Sequence, residues 1–285
     1  GDLLLLGFGS GLWQGAVVLF ISILLARFLD SGATFTMQMG LQAVLVVLLP
    51  APDGGPFTRS LDAIIGAGIA LLVVFLTPRD PRSEPFAALS AVSKDMVEAC
   101  QDAARALSSD TASHAWHALI VLRRNQTKVE LLESSLPAAH ELSTFSPTGR
   151  RHREQIDQLA ESLPQIDLGI RSLRVLLRRL AAALDHGVFS AESRELLADF
   201  FIELANAITL LTSTLSANRA GKYRSMGIAR EALAQLATRL SPEEFKLDTM
   251  EGKAQILLLR PLLVDLLRAA GTDREQAVAY LPKLA

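Results

Sequence analysis

The sequence has little of several things that would narrow its function quickly. It holds one cysteine, Cys100, among 285 residues, so no disulfide forms within the chain, and a reducing cytosolic setting for that thiol is allowed. It lacks a Walker A loop, a G-x-S-x-G nucleophile turn and a Gly-rich dinucleotide fingerprint. At the level of motifs this removes ATP-driven work and the common hydrolase and dehydrogenase chemistries, and an enzyme is not expected. His114 and His117 form an H-x-x-H pair, but no third ligand stands at a usual metal spacing. Neither a metal nor another cofactor is therefore expected. The formal net charge of −2 gives no overall pull toward nucleic acid, and no nucleic-acid-binding motif is present. No stretch alternates apolar and polar residues for long enough to read as a strand.

Charge is scarcest near the N-terminus. Between Leu3 and Leu76 the charged residues are Arg27, Asp30, Asp53, Arg59 and Asp62. Beyond Pro81 the charge density is that of an ordinary soluble protein. Half of the residues are apolar and the mean hydropathy is +0.30, but those averages hide this split. Three apolar segments occupy the charge-poor part, from Leu3 to Leu29, Ala33 to Leu49 and Ser60 to Thr77. A helix needs roughly 17–25 apolar residues to cross ~30 Å of hydrocarbon. Water-soluble helices need a polar face, and these segments have almost none. The expectation is an all-α chain in two parts: a transmembrane bundle of about three spanning helices over 1–80, and an antiparallel helical bundle over 81–285.

Lys and Arg at the segment ends set the orientation. Arg79 and Arg82 follow the third segment, which places the second domain in the cytoplasm. Three crossings then put the Gly1 end and the Pro50–Arg59 loop outside, and the Arg27–Asp30 turn inside. The chain opens Gly-Asp-Leu rather than with Met and has no basic leader, which reads as a start within a longer protein.

Two patterns in the apolar part bear on function. Gly7, Gly11 and Gly15 recur on one helix face, and Gly66 and Ala70 do the same in the third segment. Small residues at this spacing serve close helix packing, or line a permeation path. The polar pattern is Gln38 with Gln42, one turn apart, and Arg59 with Asp62 at the start of the third segment. The charged pair reads either as an interfacial anchor or as a charge pair at the mouth of a substrate path.

The second domain carries two seams. Ile156, Leu159, Leu163, Ile166, Ile170, Leu173, Leu177, Leu180 and Leu184 alternate spacings of three and four, a coiled-coil-like heptad pattern. Pro164 and Gly169 interrupt it and predict a kink near Leu163. Leu197, Phe201, Leu204, Ile208, Leu211 and Leu215 form the other seam. Helix starts are predicted at Ser241-Pro242-Glu243-Glu244 and at Thr272 with Glu275. Arginines group at Arg123 and Arg124, at Arg150, Arg151 and Arg153, and at Arg171, Arg174, Arg178 and Arg179. They read as a solvated face balanced by acids, as an anionic-lipid contact, or as the vestibule of an anion path.

Met39-Gly-Leu-Gln-Ala-Val-Leu-Val-Val-Leu-Leu49, a Gly-rich turn, Thr58-Arg-Ser-Leu-Asp-Ala-Ile-Ile-Gly-Ala-Gly68 and Leu76-Thr-Pro78 together resemble the fusaric acid resistance (FUSC) and aromatic acid exporter families. In those families an Arg, a following Asp and an Ile-Gly-Ala open the last helix of a membrane half-repeat. The resemblance implies a six-helix membrane domain, of which this chain would hold the second half, and a helical cytoplasmic appendage. It implies a multi-pass protein of a bacterial inner membrane that exports aromatic or other small organic acids at the expense of the proton-motive force. Arg59, Asp62 and Gly66 match the motif; Gln38 and Gln42 join them as candidates for the substrate path. The expected partners are the lipid bilayer, a small organic anion and a second copy of the chain in a dimer, and not nucleic acid. The alternative is a non-transporting membrane scaffold whose helical domain binds a partner.

Overall fold

A computed structural model describes residues 12–29, 33–48, 58–76, 80–145, 149–217 and 222–283. They are helical, with short turns and no strand among the described residues. The chain divides into two compact units, Gly1–Pro78 and Arg79–Ala285.

The first unit holds α1 (Leu12–Leu29), α2 (Ala33–Leu48) and α3 (Thr58–Leu76). They are 18, 16 and 19 residues long, the first and third at the short end of the spanning range of roughly 17–25 residues and the second just below it. Within them Ala16–Phe28 and Leu61–Ala70 are shorter apolar stretches. The helices α1 and α2 pack on each other. Their buried residues are small: Val18, Ala26 and Ala43, together with Gly40. A Cβ placed on Gly40 would sit 3.8 Å from both Leu19 Cδ1 and Ile23 Cγ1, so the glycine allows close approach at that point. Beyond this seam many of the large described side chains are bare. Phe20, Leu24, Phe28, Met37 and Leu41 are all exposed. Every residue from Leu61 to Ala70 of α3 is exposed, nearly three turns and hence all faces. The expected glycines Gly7 and Gly11 and the Pro50–Pro56 turn lie outside the described residues.

The second unit is built from six long helices: α4 (Ser83–Ser109), α5 (Ala112–Phe145), α6 (Arg153–Asp185), α7 (Ala191–Ser216), α8 (Lys222–Thr238) and α9 (Met250–Ala269). A short α10 (Arg274–Ala279) follows, and a 3-10 turn (Gly149–His152) precedes α6. The six form a closed ring of packed neighbours in the order α4, α5, α6, α9, α8, α7 and back to α4. The antiparallel sense of α4 and α5 can be read from their polar pairs. Asn125 Nδ2 donates to Val92 O at 3.3 Å, Lys128 Nζ meets Asp95 Oδ2 at 2.7 Å, and His117 Nδ1 meets Asp102 Oδ2 at 2.7 Å. From Val92 and Asp95 to Asp102 the position on α4 rises, while the partner on α5 falls from Asn125 and Lys128 to His117.

All nine residues of the first seam and all six of the second are buried. The first seam lies on α6, which packs chiefly on α9 and α5; the helix runs from Arg153 to Asp185 with Pro164 inside it. The second seam lies on α7. That helix alone, among the described ones, is long and apolar enough to cross a membrane by length and composition, but half of its apolar window is buried in the ring. A ring helix buried on one side accounts for this composition without lipid. At its centre Phe200 stacks edge-on against Phe245 at 5.4 Å and Phe201 at 6.4 Å, with the Arg239 guanidinium 6.0 Å from its ring.

Two helix starts differ from expectation. Ser241-Pro242-Glu243-Glu244 begins a turn rather than a helix. Lys246 adopts φ +50 and closes the turn, which drives Phe245 and Leu247 into the core. The helix starts later, with Thr249 Oγ1 accepting from Gly252 N at 3.1 Å. Likewise Asp273, not Thr272, caps α10, its Oδ1 accepting from Gln276 N at 2.9 Å. A carboxylate caps better than a threonine hydroxyl, and Thr272 is buried instead.

Candidate functional site

The polar residues of the first unit stand on two separate elements. On α2, Gln38 and Gln42 lie two positions either side of Gly40. Two residues of helix is about 200° of rotation, so both glutamines lie opposite the face that packs on α1. Both are exposed. On α3, Asp62 and Gly66 are one turn apart and exposed, and nothing lies within 4 Å of a Cβ placed on Gly66 or Gly68. The Arg59 side chain is outside the described residues, and so is any pairing with Asp62. Among the described residues no extended packing joins α3 to α1 or α2.

Two cavities among the described residues of the second unit bring charged side chains together. The larger, about 700 Å³, is lined by Arg150, Arg153 and Arg230 on one side of the charge balance and Glu154, Asp157 and Glu161 on the other. Its charges are partly spent on the protein itself. Arg153 Nε reaches Asp157 Oδ2 at 3.8 Å, His140 Nδ1 reaches Asp157 Oδ1 at 2.9 Å, and Arg230 Nη2 donates to Ala270 O at 3.0 Å, capping the C-terminus of α9. The smaller cavity adjoins Asp80, Arg82, Ser83, Phe86 and Ser216. There Arg82 grips Asp80 with Nε–Oδ1 at 3.0 Å and Nη2–Oδ2 at 2.9 Å. The hydrogen-bonded Arg82 side chain holds the Asp80 carboxyl below the usual carboxylate range. A further bond from Arg82 Nη1 reaches Gln155 Oε1 at 3.3 Å, and Gln155 Nε2 donates to Ala217 O at 2.6 Å. This chain of bonds fastens the start of α4 to α6 and to the end of α7.

The arginine groups are mostly solvated. Arg123, Arg124, Arg151, Arg178 and Arg179 are exposed, and Arg171 pairs with Asp167 at 2.6 Å. Arg174 differs: it is half-buried between α6 and α5, donates to Gln126 Oε1 at 3.3 Å, and burial lowers its pKa.

One cluster escaped sequence reasoning. His117 does not gather with His114 but with Glu98 and Asp102, all three offering ligand atoms within 4.8 Å of one another. Glu98 and Asp102 are one turn apart on α4, a recognisable spacing. The histidine comes from α5, and only the antiparallel register of the hairpin brings it there.

The family described as fusaric acid resistance protein-like matches residues 1–73, the part that holds α1, α2 and most of α3. The chain is also similar to an uncharacterized protein of Corynebacterium glutamicum, with 31% identity over 289 residues that cover 99% of this chain and 72% of that protein. No solved structure matches. The chain thus belongs to the fusaric acid resistance protein-like family, and is a helical protein of that family's membrane transport and resistance type.

Proposed function

We propose that this protein exports aromatic or other small organic acids across a cell membrane at the expense of the proton-motive force. In this reading α1, α2 and α3 cross the bilayer, the second unit lies in the cytoplasm, and copies of the chain associate, a dimer first. The observation that carries it is the bare apolar surface of the first unit. Covering a large apolar side chain is worth about 1.5–3 kcal/mol in water. Phe20, Leu24, Phe28, Ile64 and Ile69 all forgo that gain within the chain. Patches of this kind mark a surface that lipid or another protein covers. On that surface Gln38, Gln42, Asp62 and Gly66 are among the polar and small residues, and with Arg59 they form the substrate path. Asp62 supplies the group that exchanges a proton, and Arg59 the charge that attracts an organic anion. Cells expressing the protein then accumulate less labelled aromatic acid than cells without it, and Asp62→Asn restores accumulation. Equal accumulation in all three strains would sink the proposal.

A membrane scaffold is the second reading. It is favoured by Trp116, Ile120 and Leu131, which lie on one side of α5 and are all exposed. A scaffold leaves acid accumulation unchanged, so the same measurement separates the two.

A further inference from the structure

We propose that Glu98, Asp102 and His117 form a site for one divalent transition-metal ion, which clamps α4 to α5. Three observations meet there. The ligand set is two carboxylates and one imidazole, a mixture that suits zinc or manganese better than calcium or magnesium. The ligand atoms lie within 4.8 Å of one another, so small side-chain rotations bring all three to the ~2.0–2.2 Å expected for zinc bound to oxygen or nitrogen.

The second observation is the state of Asp102. Its side chain is 3% exposed, and a buried carboxylate is found paired or bound to a metal. Its two oxygens have different partners. Arg105 holds Oδ1, through Nη2 at 2.5 Å and Nε at 3.2 Å. Oδ2 is left facing His117 Nδ1 at 2.7 Å. Arg105 thus fixes the carboxylate from behind, as hydrogen-bond donors commonly do for ligating carboxylates, and leaves the inner oxygen for the metal.

The third observation is Glu98. It is half-buried, one turn before Asp102 on the same face of α4, and makes no hydrogen bond or ion pair among the described residues. Two like charges at this spacing repel. The neighbouring acid on this face, Asp95, has Lys128 as its partner at 2.7 Å. Glu98 has none, and a cation between it and Asp102 would remove the repulsion. Three protein ligands leave a fourth position for water, and His117 is open to solvent, so the ion has an entry path.

The test uses the full chain purified in detergent and stripped with a chelator. Zinc and manganese are each added alone, and bound metal is measured by elemental analysis and calorimetric titration. One equivalent per chain is expected. Glu98→Gln, at a side chain without a bond of its own among the described residues, and His117→Gln, at an exposed side chain whose one bond is to Asp102, should each weaken binding at least tenfold while leaving the helical circular-dichroism spectrum unchanged. Arg105→Ala, which removes the support behind Asp102, should weaken it less. Absence of stoichiometric metal overturns the proposal. So does binding that survives both glutamine variants, which would place the metal elsewhere and leave Asp102, His117 and Arg105 as an ion-paired cluster only.

Discussion

Ile69 offers a direct way to ask what surrounds α3. It sits near the middle of a 19-residue helix and is 60% exposed. If lipid covers that helix, Ile69→Arg exchanges a residue that favours the bilayer centre by ~0.3–0.6 kcal/mol for one that opposes it by ~2.5–3.5 kcal/mol. The change comes to about 3–4 kcal/mol, two to three powers of ten in the insertion equilibrium. If water covers the helix, the same exchange at an exposed position changes stability by no more than ~0.5 kcal/mol and improves solubility. The two environments therefore differ in magnitude, and in what happens to solubility. Insertion is read by attaching glycosylation acceptor sites on both sides of 58–76 and scoring their modification in microsomes, with Ile69→Leu as the control. Lipid cover predicts that Ile69→Arg abolishes insertion while Ile69→Leu leaves it intact. Intact insertion of Ile69→Arg, or a soluble variant, would refute the reasoning.

Further outcomes follow from the second unit. Phe200→Ala removes a fully buried ring and two edge-on aromatic contacts; it should cost about 3–5 kcal/mol in denaturant unfolding. Thr249→Ala should cost about 1 kcal/mol by loss of the α9 cap, and Ser241→Ala less, because Ser241 Oγ only supports a turn at 3.4 Å. Burial pushes the Cys100 thiol up to about 12, so a maleimide at neutral pH should label it only after unfolding. Burial also raises the Asp265 carboxyl, with the Arg268 charge and the Ser172 hydroxyl offsetting part of the effect. A carboxyl raised on folding binds more protons in the native state, so its contribution is present below the ordinary carboxylate value and is lost as pH rises through the raised one. Asp265→Asn should therefore raise the melting temperature at pH 7 and give no gain at pH 3.

How much of this was legible in the sequence depends on range. The heptad spacings predict seams, and Ile156 through Leu184 and Leu197 through Leu215 are buried as those spacings require, because a helix's apolar stripe depends only on its own residues. The scarcity of charge before Leu76 likewise has a local cause. Helix starts were less legible. Ser241-Pro242 carries a start signal, but Phe245 and Leu247 are worth more in the core than as the first turn of a helix, so tertiary burial overrides the cap. Thr272 and Asp273 compete one residue apart for a single cap, and the better acceptor takes it. The Glu98–Asp102–His117 cluster was not legible. Its two carboxylates are local, but His117 arrives through the register that Asn125–Val92 and Lys128–Asp95 set, and no spacing in the sequence encodes that register. The clasp of Arg82, Asp80, Gln155 and Ala217 is hidden for the same reason, since single bonds in it join residues up to 73 positions apart.

The central claim, that the apolar unit carries organic acids across a membrane, is tested most directly by flux in vesicles containing only this protein. With an imposed proton gradient, a labelled aromatic acid should move across the membrane, stop when the gradient is collapsed, and fail to move through Asp62→Asn. Flux equal to that of empty vesicles, with or without the gradient, would contradict it.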